Sequence, residues 1–405
     1  MACLKVFSGD LPELTNEIIK YFHDDYITLH SCILINRLWC RLAIPLLWEN
    51  PFSIQFPKNY HFIEIYLHNL NDNDKTKLNE YGINNDLIPS NTLFNYSSFI
   101  QHLDTSNIIS SIESWGAAVR TSKTQISKFI YRSLFQIFIE NEVNLHSLEV
   151  VSSSSQESKY FDDIFKLNPN FFRNIKILNL EDSFITVETL TKFSTLLNSN
   201  CNSISSLYFK FPLCYNDNNG HSTIEKSLSQ IINSQENLRK ILLGFSSGLN
   251  SQNINSLINL IENIKQNLNY LLIDTNDNHL SSIILQNLGQ ILPFKLEYLY
   301  LSLITNRSDL EAFLKNSRNT FIKILVIKNT TKYESEDIFP YIEEYIIKKK
   351  RIKYLAILQT FLTSFLTAPR KNLFDLKDKV DYYKLYDIQV LDCYSSSINI
   401  EKFIL

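Results

Sequence analysis

A chain of 405 residues is long enough for two or three domains, and a hydrophobic share of 44% is enough to fill their cores. A net charge of -3, with 20% charged residues, gives no electrostatic case for nucleic acid or an acidic membrane surface as partner. Met1 to Asp10 lacks the basic start and apolar run of a signal peptide, and the most apolar stretch, 355–368, is too short and too interrupted to span a bilayer.

The first elements in the chain are helical. Leu11-Pro12 suits a loop leading into a helix, because proline has no N–H to leave unpaired in a first turn. Leu14, Ile18, Ile19 and Phe22 then recur at helical spacing, and a second apolar set stands at Leu29, Cys32, Ile33, Ile35, Leu38, Trp39 and Leu42. That is more apolar surface than a three-helix piece of about forty residues can bury by itself. Periodicity leaves two readings open: a module that docks on a partner, or a helical cap over the core of the rest of the chain.

The order of Leu11-Pro12, the paired Ile18-Ile19, Arg37-x-Trp39 and Leu47-Trp48 resembles an F-box, the helical module that docks a substrate receptor onto a cullin–RING ubiquitin ligase. The segment Leu14-Thr15-Asn16-Glu17-Ile18 departs from that pattern, with its Glu-Ile pair a few residues late, so an irregular first helix is expected. The resemblance implies a three-helix module over residues 1–50 and a Skp-type adaptor as partner, with cullin and RING subunits joined through it. It assigns adaptor contacts to Leu11, Pro12, Leu14, Ile18, Ile19, Phe22, Leu29, Cys32, Ile35, Leu38, Trp39, Leu42 and Trp48.

Residues 51–144 read as a junction with divergent early repeats. Pro51 and Pro57 end the first module, and Phe62 to Leu70 is patterned as a helix. The polar stretch Asn71 to Asn85 reads as a loop or linker. Phe94 to Leu103 and Ile108 to Trp115 are apolar enough to be ordered, and Ile126 to Ile139 reads as a helix.

From residue 145 to 405 the chain repeats. The frame is apolar, two others, apolar, one other, apolar. It occurs as Leu145-Leu148-Val150, Ile175-Leu178-Leu180, Ile204-Leu207-Phe209, Leu238-Ile241-Leu243 and Leu268-Leu271-Ile273. It continues as Leu296-Leu299-Leu301, Ile322-Leu325-Ile327, Ile352-Leu355-Ile357 and Leu385-Ile388-Val390. Helical patterns lie between the units at 187–197, 224–232, 254–264, 280–291 and 338–347. A strand plus a helix at a period near thirty is similar to a leucine-rich-repeat solenoid, an α/β fold with parallel strands on the concave face and helices on the convex face. In that family a small polar residue comes after the frame to bond backbone groups. Ser153, Ser183, Ser246, Asn276, Thr330 and Thr360 stand three places after the last apolar member, and Asn276 matches the strict consensus. An ordinary α/β domain with crossovers is the alternative.

Residues flanking the inward leucines should point outward along each strand. Those positions hold Glu149, Glu181, Lys210, Lys240, Asp274 and Lys328, and the tyrosines 208, 270, 298, 300 and 354. Tyr208, Tyr270, Tyr298, Tyr300 and Tyr354 are the expected target-binding surface, since tyrosine is enriched at protein-binding hot spots. Tyrosine also favours strands for packing reasons alone.

No catalytic motif is present: no phosphate-binding glycine loop, no G-x-S-x-G elbow and no H-E-x-x-H. The six cysteines include no C-x-x-C pair and read as buried thiols of a reducing compartment. The Asp/Asn runs lack the spacing and closing Glu of a calcium loop. No cofactor or metal is expected. The run Lys348-Lys349-Lys350-Arg351 comes directly after a helical pattern and reads as cations at a helix C-terminus, with a nuclear localisation signal as the alternative. The expectation is a non-catalytic receptor in the cytoplasm, or in the nucleus if that signal operates. It binds the adaptor through residues 11–48 and an unknown protein target through the repeats. The alternative is an interaction scaffold whose first module is only a cap.

Overall fold

The computed structural model describes residues 11–54, 59–119, 124–151, 168–181, 186–210, 218–245, 258, 261–262, 267–317, 320, 322–331, 338–347, 352–361 and 370–394. The chain is α/β, with mostly parallel strands, and divides into two compact units, Met1–Ile177 and Leu178–Leu405. The boundaries expected at 50 and 144 both fall inside the first unit. Ser153, Ser183, Ser246, the run 348–351, Cys3, Cys214 and most of the patterned segment 254–264 lie outside the described residues.

The first unit opens with helices α1 (Pro12–Lys20), α2 (Tyr26–Cys32) and α3 (Arg37–Leu47). Pro12 stands in the first turn of α1, and the helix is regular, contrary to expectation. Thr15 stabilises it by donating its hydroxyl to the Leu11 carbonyl at 2.9 Å. Asp25 and Asn36 cap α2 and α3 by accepting the Thr28 and Trp39 N–H groups, each at 3.0 Å. Ile19, Leu29, Cys32, Trp39 and Ala43 form the small core between the three.

Two short helices come next, α4 (Phe62–Leu67) and α5 (Asp72–Glu80). The second lies in the stretch expected to be a loop. Asn71 caps it by accepting the Asp74 N–H at 2.9 Å, and Leu78 is fully buried on its inner side. One cap, two acidic first-turn residues and one anchor hold a helix that its polar composition conceals. Strand β1 (His102–Asp104) pairs in parallel with β2 (Ser147–Val150), matching Leu103 to Leu148. Between them run α6 (Thr105–Ala118) and α7 (Thr124–Glu140). The frame conceals this β1 unit because its third position is Thr105, buried with Ile100 and Leu103.

Strand β3 (Ile177–Leu180) contains the division between the units. Beyond it come β4 (Ser206–Lys210), β5 (Lys240–Phe245), β6 (Tyr270–Thr275), β7 (Tyr298–Leu303), β8 (Ile324–Thr331) and β9 (Tyr354–Phe361). Each pairs in parallel with the next. The repeat frame is in register through all six: Leu207, Ile241, Leu271, Leu299, Leu325 and Leu355 stand side by side, as do Phe209, Leu243, Ile273, Leu301, Ile327 and Ile357. All twelve are buried. They share the core with apolar residues of α8 (Val187–Asn200), α9 (Asn218–Asn233), α10 (Asn278–Ile291), α11 (Arg307–Asn316) and α12 (Phe339–Ile347).

The buried polar position after the frame stands two places on, not three. Thr275, Asn329 and Gln359 are buried, whereas Asn276 is exposed. Strand alternation explains this: the strands run past the frame, so period two carries the next inward slot to the second residue. Asn329 uses it to accept the Thr305 N–H at 2.9 Å as the chain leaves β7.

The last frame unit is only partly a strand. Leu385 is exposed just past helix α13 (Lys377–Lys384), and only Gln389–Val390 forms strand β11. It pairs in parallel with the start of β9. Strand β10 (Arg370–Asn372) pairs antiparallel with the end of β9.

Candidate functional site

Two surfaces carry residue types suited to recognition. The first is on the three-helix module. Its core residues Ile19, Leu29, Cys32 and Trp39 are buried, so these four predicted contacts hold the module together and offer no side chain to a partner. Ile18, Phe22, Leu38, Leu42 and Trp48 are half-buried. Trp48 is spent on the neighbouring segment, with its ring 4.2 Å from that of Tyr96 and 5.5 Å from that of Tyr66. Leu11, Pro12, Leu14 and Ile35 are exposed as a docking surface needs.

Three further apolar residues are more exposed than Leu11, Leu14 or Ile35: Tyr21 at 88%, Ile27 at 84% and Leu34 at 76%. Sequence reasoning misses them because they lie off the helical stripe that the apolar spacing picks out. That position is itself the signal, since large apolar residues outside a buried stripe stay on the surface. Of the fifteen large apolar side chains exposed among the described residues, six fall within the 25 residues from Leu11 to Ile35.

Glu49 fixes this module to the adjoining segment. The carboxylate is buried between His23, whose Nε2 is 3.2 Å from one oxygen, and His102, whose Nε2 is 3.1 Å from the other. The Glu49 carbonyl also accepts the Gln101 N–H at 3.0 Å. Burial opposes ionisation of Glu49, yet His102 and His23 together hold its pKa below the ordinary value. At His23 burial favours the neutral ring, and Asp24 and Glu49 outweigh it and raise the pKa.

The second surface is the outward face of β4 to β9. The five predicted tyrosines fare differently there. Tyr298 is only 4% exposed and is not part of the free surface. It belongs to a cluster with Leu272, Val326, Ala356, Leu358 and Cys393, against which Tyr270, Tyr300 and Leu391 also pack. The cover comes from the segment after β11. There the Leu391 N–H donates to the Leu355 carbonyl at 2.8 Å, and Asp392 accepts from Asn372 Nδ2 at 2.9 Å. Burial pushes the Cys393 thiol up to about 12. It also raises the Tyr298 phenol, whose oxygen is buried with no hydrogen-bond partner among the described residues.

Tyr208, Tyr270, Tyr300 and Tyr354 are half-buried. Lysines cover three of the rings. Lys240 Nζ lies 4.8 Å from the Tyr208 centroid, Lys328 Nζ 5.4 Å from Tyr300 and Lys353 Nζ 5.3 Å from Tyr354. Tyr208 and Tyr300 also line a hollow of about 260 Å3. Its floor includes Leu242, Gly244 and Leu272, and its rim includes Glu181, Lys210 and Asp274. Lys210 and Glu181 pair at 2.9 Å. The hollow has aromatic walls, an apolar floor and a charged rim, an arrangement that suits binding.

Among the described residues no cluster of His, Cys, Asp or Glu could hold a metal ion, and no helix is long and apolar enough to cross a membrane. The chain matches no family model and no curated protein.

Proposed function

We propose that this chain is the substrate receptor of an SCF-type cullin–RING ubiquitin ligase. In this reading residues 11–48 are an F-box that binds a Skp-type adaptor, and through it cullin and RING subunits. The chain from 145 onward is a leucine-rich-repeat solenoid whose concave face takes a protein target, in the cytoplasm or nucleus. The receptor breaks no bond. It raises the effective concentration of the target near the ubiquitin-conjugating enzyme.

The observation that carries this reading is the exposed apolar set Leu11, Leu14, Tyr21, Ile27, Leu34 and Ile35 on a module whose own core is already filled. The in-register frame of β4 to β9 supports the solenoid. The rival reading, in which the module is only a cap, has the Trp48 and Glu49 contacts in its favour. It leaves the six exposed residues without a purpose.

Co-expression of the full chain with a Skp-type adaptor tests the choice. Wild type should co-purify in a one-to-one complex. An Ile27→Glu, Leu34→Glu double variant should lose at least about thirtyfold in affinity, the cost of one hot-spot side chain, with unchanged melting. A wild-type chain that fails to hold the adaptor sinks the receptor reading.

A further inference from the structure

We propose that the target is held as an extended peptide segment over the hollow between β4 and β7. A bulky apolar side chain would insert between Tyr208 and Tyr300, and a basic side chain would sit beside Asp274. The proposal rests on the receptor reading and relocates its target site away from Tyr298.

Three observations lead to it. The first is size. At about 260 Å3 the hollow falls below the roughly 300–1,000 Å3 of sites that enclose a drug-sized ligand. It suits one large side chain delivered by a chain lying across the face. Gly244 keeps it open, and a Cβ there would meet Lys210, its closest atom the side-chain Cγ at 3.2 Å.

The second is that apolar side chains from a later segment already cover the same face elsewhere. Leu391 and Cys393 turn apolar side chains onto the cluster around Tyr298 and Val326. Asp392, between them, is engaged instead by Asn372 and by the Tyr394 N–H at 3.1 Å. This face therefore accepts closely spaced apolar side chains from one segment, here delivered where the chain passes from strand β11 into a helical turn at Cys393–Tyr394. The hollow continues it through Leu242, Leu272 and Tyr300, which belong to both.

The third is charge. Glu181 is satisfied by Lys210, whereas Asp274 is exposed and forms no ion pair among the described residues. The Lys240 and Lys328 ammonium groups are stationed over the Tyr208 and Tyr300 rings. The rim thus lacks a cation at Asp274, and a basic residue on the target provides one. Such a rim pair contributes orientation and association rate more than affinity.

The experiment is selection of a random dodecapeptide library, displayed on phage, against the immobilised full chain. Enriched peptides are then titrated by fluorescence polarisation against wild type, Gly244→Leu and Asp274→Lys. Enriched sequences should pair Phe, Trp or Leu with a nearby Lys or Arg. Gly244→Leu fills the hollow and should weaken binding about thirtyfold or more. Asp274→Lys, an exposed change, should weaken it about tenfold, and changing the basic residue of the peptide to Glu should restore it. Failure to enrich any peptide, enrichment without that pattern, or binding to both variants equal to wild type overturns the proposal. Adaptor binding is measured on the same variants and should be unchanged. Adaptor capture without selective peptides sinks the hollow alone. Selective peptides on a chain that never holds the adaptor sink the receptor reading and leave the hollow as a peptide site.

Discussion

Replacing Tyr298 by Phe should make the second unit more stable. The ring is packed among Leu272, Val326, Ala356 and Cys393, and Phe keeps that packing. Only the hydroxyl is lost, and it is buried with no hydrogen-bond partner among the described residues. An unpaired buried hydroxyl costs about 1–3 kcal/mol, so its removal should return roughly 1–2 kcal/mol once imperfect relaxation is allowed for. For a unit of this size each kcal/mol raises the melting temperature by about 2–4 °C. The gain should grow in alkali. Burial raises the Tyr298 pKa, so at high pH the folded state keeps a proton that the unfolded chain releases near pH 10. The contribution of this group to wild-type stability is therefore full below about pH 10 and falls above it by up to roughly 1.4 kcal/mol per pH unit, a loss the Phe variant does not share. By contrast Tyr298→Ala should cost about 3–5 kcal/mol through the cavity it leaves. Thermal scans at pH 7 and pH 10.5, with hydrogen exchange of β7 as a local probe, measure both effects. A lower melting temperature for Tyr298→Phe at pH 7, or a difference that does not widen at pH 10.5, refutes the reasoning.

Two further outcomes join the adaptor and peptide tests. Gly289→Ala should destabilise the second unit by about 1–3 kcal/mol, because the new Cβ would stand 2.7 Å from the Phe313 carbonyl oxygen and force α10 away from α11; urea titration reads this, and a neutral result would mean the helices part freely. Glu49→Gln should flatten the acid limb of the first unit's stability. The folded pKa of Glu49 is depressed, so its contribution is present above about pH 4.3 and is lost as pH falls through the lower folded value. His23 works with the opposite sign, its contribution full below about pH 6.5 and lost as pH rises through its raised value. An acid limb of the first unit's melting profile that is identical in Glu49→Gln and wild type would discard the Glu49 bridge.

The strands β4 to β9 were legible because the frame repeats three apolar residues at fixed offsets, and their side chains must all face one core. Strand β10 was not, since Arg370-Lys371-Asn372 carries no apolar pattern and is held by pairing with β9. The helix Asp72–Glu80 was hidden for a similar reason, with only Leu78 buried. Parity along β7 assigned Tyr298 and Tyr300 correctly to one face. It could not separate them, because what buries Tyr298 arrives from residues 391–393, far along the chain. Strand parity places Glu181, Tyr208, Lys210, Asp274 and Tyr300 on the outward face, and all five line the hollow. Gly244 carries no pattern in the sequence that marks it as lining the hollow; only the space a Cβ would take beside Lys210 shows its role. On the helical module, the apolar stripe identified the core, and the same stripe drew attention away from Tyr21, Ile27 and Leu34.

Strand β9 is paired along its outer side twice, by β11 at Tyr354–Leu355 and by β10 at Leu358–Thr360. A repeat array with a bare last strand can stack end to end with its neighbours and polymerise. Here the edge at that end belongs to β10 and β11, three and two residues long, which give little backbone to a repeat strand of six residues or more. A duplicated unit appended after β9 would have to displace both pairings before it met the backbone of β9. Insertion between existing strands requires no such displacement, and each new strand inherits two partners at once. Variation in repeat number among descendants of this gene should therefore spare the junction of β9 with the segment 370–394.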